Sequence, residues 1–261
     1  HLNELGLMTF QGRSWDADSA RHYRQALETD IARAGAEMDE EDQKEPRRIK
    51  AIRDYALHMR MFAFLKARHP TVPLSLHAGE LTLGLVPPRD LRFHIRDAVA
   101  VAGARRIGHG IDISYEDDAT ALLARMARDR VAVEINLTSN AVILGVKGAQ
   151  HPLSLYRTAG VPVVLSTDDE GVSRSDMTNE YQRAVAEQGL RYTDLKQIAR
   201  DTLAYSFLPG KGLWRDRAGG TRVAPCADLA STTCAAYRAT DAKAARQWQL
   251  ERDFTAFEAE T

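Results

Sequence analysis

From Val72 to Gly189, short apolar runs alternate with amphipathic stretches at similar intervals. That alternation constrains the fold more than any other feature of the chain. The runs VPLSL, RRIGHG, VAVEINL and VPVVLST read as strands ending near residues 77, 109, 137 and 167. Between and after them, PPRDLRFHIRDAVAVAG, EDDATALLARMARD, HPLSLYRTAG and TNEYQRAVAEQG read as helices. Repeats of this kind build parallel βαβ units. A closed (β/α)8 barrel and an open doubly wound sheet compete. No GxGxxG or phosphate-binding loop follows the first strand, which weakens the nucleotide-binding alternative.

The strand ends carry unusual groups: His77 and Glu80, then His109, then Ser139 and Asn140, then Asp168 and Asp169. In a barrel, reactive groups come from the C-terminal ends of several strands and meet at one mouth. The expected fold is therefore α/β, of the (β/α)8 TIM-barrel type. Only four strands are legible, so the C-terminal half of the barrel is expected, with extra helices. The chain divides into a helical segment over 1–50, the half barrel over 51–210, and an irregular loop with a C-terminal helix over 211–261.

Charge limits the partners. Lys and Arg total 35 against 36 Asp and Glu, for a net charge of −1, and no basic patch points to nucleic acid. No apolar run approaches the ~20 residues of a membrane span. A small molecule is the expected partner.

A histidine and carboxylates at neighbouring strand ends suit a borderline metal such as zinc. His77 and Asp168 are candidate ligands. Glu80, three residues after His77, is a candidate for moving protons beside the ion. His109 lies between two glycines, which permit close backbone approach. Each residue also has a plainer reading. A lone histidine at a strand end is usually structural, and an Asp-Asp pair commonly caps a helix. Asn140 in LTSN either supports the site or belongs to a turn capping the strand. His58 and His94 read as helix residues, and His151 as a residue at the edge of the site.

Taken together, HAGE, RIGHG, LTSN and STDDE, in this order and each at a strand end, resemble the adenosine deaminase family, which includes AMP and adenine deaminases. The resemblance runs from about Val72 to Phe207. It implies a (β/α)8 barrel, one Zn2+ per site, and hydrolysis of a 6-aminopurine to the 6-oxo compound and ammonia. It also implies roles: His77 and Asp168 as zinc ligands, Glu80 as proton donor to purine N1, His109 as the group that orients and deprotonates the attacking water, and Asp169 as partner of purine N7. Asp169 must carry a proton for that role, and low solvation is expected to favour it. Adenosine or 2′-deoxyadenosine is the expected substrate. Another 6-aminopurine, or a non-catalytic purine-binding relative, is the alternative. Glu170, next to the aspartates, would repel a 5′-phosphate and favours nucleoside over nucleotide.

The family pattern includes a His-x-His pair on a first strand, and this sequence has none. An N-terminally incomplete member, with doubtful activity as a separate chain, is the expectation. Cys226 and Cys234 lie in one Ala/Thr-rich stretch and are expected to pair. That pairing suggests a periplasmic or secreted protein, with the cytoplasm as the alternative.

Overall fold

The computed structural model describes residues 47–215 and 221–260. Helix α1 spans Arg47–Arg68 and leads to strand β1, Ser75–Ala78. There follow α2 (His94–Ala100), β2 (Arg106–His109), α3 (Ala119–Asp129), β3 (Ala132–Ile135), α4 (Leu137–Leu144), α5 (Leu153–Thr158) and β4 (Val163–Leu165). The short α6 (Glu170–Ser173) precedes α7 (Met177–Gln188) and α8 (Tyr192–Ala204), and the chain closes with α9 (Thr232–Ala239) and α10 (Ala242–Glu260).

The four strands form one parallel sheet in the order β1-β2-β3-β4. His77 lies level with Gly108, Ala78 with His109, and Ile135 with Leu165. Strand order follows chain order without the reversal that marks a doubly wound sheet. This is the winding of a (β/α) barrel, and it brings every C-terminal strand end to the same edge.

Leu76, Ile107, Val133, Ile135, Val163 and Leu165 are buried in one core with Ile95, Ala98, Val99, Leu122, Met126 and Tyr156 from the helices. Burial on both sides explains why the strands read as nearly unbroken apolar runs. Side chains fix the helix starts. Asp118 accepts from the Ala121 N–H at 3.3 Å, and Asp176 from the Asn179 N–H at 2.8 Å. Each bond satisfies an orphan donor in a first turn.

The structure corrects three readings. LTSN is no turn: it opens α4. The third segment is more ordered than an irregular loop, since α9 forms behind Ser231, which caps the Cys234 N–H at 3.2 Å. The boundary after residue 50 falls inside α1, and the helical reading of 1–46 lies outside the described residues. In the third segment, α10 packs on α8 through the Arg200–Glu251 ion pair, 2.7 Å, and Cys226 and Cys234 are joined by a disulfide.

Candidate metal and catalytic centre

At the C-terminal edge of the sheet, His77, His109 and Asp168 offer ligand atoms within 4.8 Å of one another. They arrive from β1, from β2 and from the loop after β4. The rings of His77 and His109 have centroids 5.0 Å apart. An imidazole–carboxylate set of this size suits one borderline cation, so the residues present fit a metal. Glu80 faces the same point, its Oε2 3.5 Å from His109 Nε2, while Asp168 Oδ2 lies 3.9 Å from that nitrogen.

The backbone that presents these groups is bent locally. His109 has φ 71° and Asp168 φ 56°, both left-handed. A non-glycine residue there costs about 1–2 kcal/mol, a form of strain that clusters at functional sites. Gly110, at φ 60°, continues the bend, and a Cβ on it would collide with the Tyr156 hydroxyl that donates to the Gly110 carbonyl at 2.7 Å. Gly79, between His77 and Glu80, has φ 72° and leaves no room for a Cβ against Asp112 Oδ1 and Ile95. Its carbonyl accepts from the N–H groups of Ile111 and Asp112 at 2.8 and 3.2 Å. These bonds fasten the HAGE turn to the segment after β2. The small residues of HAGE thus serve close packing of the two strand ends.

Burial sets the electrostatics. His109 is 1% exposed, and burial lowers its pKa to about 4 against the pull of Asp168. The carboxyl of Glu80 is raised above its ordinary value, first by burial and then by the negative charge of Asp168, with His77 opposing. Its surroundings include a cleft of about 250 Å³ lined by Tyr55, His77, Gly79, Leu81 and His94. A depression lined by Arg130, Gly160 and Val163 sits at the opposite end of β4, away from these groups.

Asp169 is exposed, contrary to the low solvation expected for it. It occupies the N-cap position of α6 without a side-chain capping bond, so the capping reading does not account for it either.

Around the cluster stands a buried polar layer. Ser139 donates to Asp168 Oδ2 at 2.7 Å. Asn140 Nδ2 is 2.9 Å from His109 Nδ1, and Asn136 Nδ2 is 3.2 Å from it. His151, read from sequence as a residue at the site's edge, is 2% exposed and reaches Asn140 Oδ1 at 3.2 Å. Glu180 accepts from the Thr138 N–H at 3.2 Å and holds the first turn of α4. Asn136 was missed in the sequence. It is the N-cap residue of α4, and its carbonyl accepts from the Asn140 N–H at 2.9 Å, which sets the two amides one turn apart.

A family model described as adenosine deaminase matches residues 43–214. The adenosine deaminase of Enterococcus faecalis is 34% identical over 143 residues, covering 54% of this chain and 39% of that protein. The adenosine deaminase of Klebsiella pneumoniae is 35% identical over 146 residues, 56% of this chain and 40% of that one. The chain thus spans about two fifths of the length of these curated relatives. Among solved structures, an adenine deaminase from Arthrobacter aurescens superposes with a TM-score of 0.48 at 22% identity, over 59% of this chain and 43% of that one.

Proposed function

The chain belongs to the adenosine deaminase family, its family match running from residue 43 to 214, and on that premise we propose that the full-length protein hydrolyses adenosine or 2′-deoxyadenosine to the 6-oxo nucleoside and ammonia. The observation that carries this reading is the meeting of His77, His109 and Asp168 within 4.8 Å, with Glu80 Oε2 3.5 Å from His109 Nε2.

His77 and Asp168 would supply two of the protein ligands of a zinc ion, whose catalytic sites take at least three. Bound there, the ion would supply a water acidic enough to act as the nucleophile near neutral pH. Glu80 gives its proton to purine N1, drawing electrons from the ring so that C6 accepts the water oxygen. A carboxyl that resists ionisation suits that task, and Glu80 is shifted in that direction. His109 holds the adding oxygen by a hydrogen bond. Asp169, at the rim of the same site, is placed to contact N7. Ammonia leaves C6 as the 6-oxo product forms. Glu170, exposed beside Asp169, repels a 5′-phosphate, and this supports nucleoside over nucleotide.

The reading includes where the protein works. The Cys226–Cys234 bond is buried with Leu213 and Trp214, and supports an oxidising compartment, periplasmic or extracellular.

The test is ammonia release by the zinc-loaded full-length protein from adenosine, 2′-deoxyadenosine, adenine and AMP. Turnover of the first two above the others is the expected result. Absence of turnover on all four, with one zinc bound, would overturn the reading.

A further inference from the structure

Behind His109, hydrogen-bond direction can be followed from one fixed point. The backbone N–H of Leu153 donates to His151 Nδ1 at 3.2 Å. A backbone amide cannot exchange donor for acceptor, so Nδ1 of His151 is bare and its ring proton sits on Nε2. Burial, with Arg183 nearby, lowers the pKa of His151 to about 4, so this ring is neutral near pH 7. Its Nε2–H then donates to Asn140 Oδ1 at 3.2 Å.

That bond orients an amide whose two ends are otherwise interchangeable. With Oδ1 committed to His151, Asn140 turns Nδ2 to His109 and donates to Nδ1 at 2.9 Å. His109 therefore accepts on Nδ1 and carries its proton on Nε2. This is the nitrogen 3.5 Å from Glu80 Oε2 and 3.9 Å from Asp168 Oδ2. Asn136 has no such fixed partner, and its Nδ2 lies 3.2 Å from Nδ1 and 3.5 Å from Nε2. The shorter of its two contacts agrees with a bare Nδ1.

We infer that Leu153, His151 and Asn140 form a directional relay that holds His109 as the Nε2–H tautomer, making it a hydrogen-bond donor toward the reaction centre rather than a metal ligand or a resting base. His151 and Asn140 are positioning residues. The consequences are chemical. A ring nitrogen that carries a proton has no lone pair for a cation, so of the three clustered donors only His77 and Asp168 are left to bind metal. What His109 donates to rests on the deaminase reading: it is the oxygen that adds to C6. The relay supports the orienting half of its expected role. The deprotonating half needs a proton acceptor other than the resting ring.

The experiment reads the tautomer directly, by long-range 1H–15N correlation of histidine rings in the 15N-labelled, zinc-loaded full-length protein. His109 is assigned by the signals lost in His109→Asn. The expected pattern is Nε2–H for both His109 and His151, and Nδ1–H at His109 overturns the relay. Asn140→Asp, with the new carboxyl ionised, leaves only acceptors between the two rings, so His109 must gain a proton on Nδ1. The expected outcome there is a roughly 10²-fold or larger fall in kcat, with zinc content and KM nearly unchanged. A bare Nδ1 in that variant while the 13C shift of the new carboxyl shows it ionised also overturns the relay. His151→Gln retains a donor toward Asn140 and should keep the His109 tautomer, whereas His151→Leu frees the amide to turn and should mix the tautomers. Loss of the Nε2–H pattern in the Gln variant counts against the relay, and that comparison survives even where the Leu variant fails to fold. The ring pattern needs no substrate. An Nε2–H pattern in a protein inactive on every aminopurine would sink the deaminase reading alone, and deamination with an Nδ1–H ring would sink the relay alone.

Discussion

The Ser139 hydroxyl donates to Asp168 Oδ2 at 2.7 Å, joining the first turn of α4 to the loop beyond β4. The bond crosses from one strand end to the next and uses one lone pair of a carboxylate assigned to the metal. Such outer partners orient ligands, and removing them typically lowers metal affinity by 10–100-fold. Ser139→Ala should weaken zinc binding by about that factor without unfolding the protein. Competition with a chromophoric chelator measures it, and an unchanged affinity would mean that the hydroxyl plays no part in holding Asp168.

Glu80 and Asp168 should separate cleanly on substitution. Glu80→Gln removes the proton meant for N1 but keeps the shape, so kcat should fall by roughly 10²–10⁴ while one zinc stays bound. Asp168→Ala should lose zinc and turnover together. Metal analysis beside steady-state kinetics distinguishes them. Zinc loss from the Glu80 variant would make Glu80 a ligand and remove it from the acid role.

The reading of the strand ends succeeded because a barrel edge leaves a direct trace in sequence. His77, His109 and Asp168 are polar residues that terminate apolar runs, and a parallel sheet sends all such ends to one side. Helix α4 left a weaker trace. Its sequence LTSNAVIL follows a buried strand and is itself largely apolar, so periodicity cannot tell it from more strand or a turn. Asn140 and His151 were legible as residues near the site, but their link to each other and to His109 depends on how α4 packs, which no sequence spacing shows. Asp112 and Glu116 left no trace at all. In GIDISYEDD they look like acids before a helix, and their burial depends on packing that also brings in Gly79 and Ile95 from earlier in the chain.

Those two acids predict a pH dependence. Asp112 is fully buried with neither carboxylate oxygen hydrogen-bonded among the described residues, and burial, then Glu116, pushes its pKa up to about 8. Glu116 rises to about 7, again mainly by burial, although the Ile95 N–H donates to it at 2.6 Å. The folded protein keeps protons here that the unfolded chain releases near pH 4. Stability from Asp112 therefore falls as pH rises from about 4 to about 8, with a slope approaching 1.4 kcal/mol per pH unit. Buried His94, His109 and His151, each lowered to about 4, act oppositely below their ordinary range, so the wild-type profile mixes both signs. Asp112→Asn cannot ionise and isolates one term. Its denaturation free energy relative to wild type should climb between about pH 5 and 8. A difference that stays flat across that window would show that Asp112 is ionised in the fold.

The disulfide predicts behaviour under reduction. Cys226 and Cys234 are separated by 8 in sequence and are both fully buried, in a cluster with Leu213, Trp214 and Ala244 that seats α9 against α10. Closing so short a loop removes little chain entropy, for a gain of roughly 2–3 kcal/mol. In a domain of this size that corresponds to a fall of about 4–12 °C in Tm when the bond is broken. Because both sulfurs are covered, a mild reductant should act only after local opening, so loss of the bond should speed up with denaturant before global unfolding. One double variant and one condition separate the bond from the packing. Cys226→Ala with Cys234→Ala removes both thiols, while the wild type under reductant keeps the sulfur volume. Equal Tm values for the oxidised and reduced wild type would show that the bond contributes nothing to stability. The oxidising-compartment proposal has its own measurement. Protein isolated from its native source and alkylated without reduction should show no modified cysteine by mass spectrometry, and two alkylated thiols would assign it to a reducing compartment.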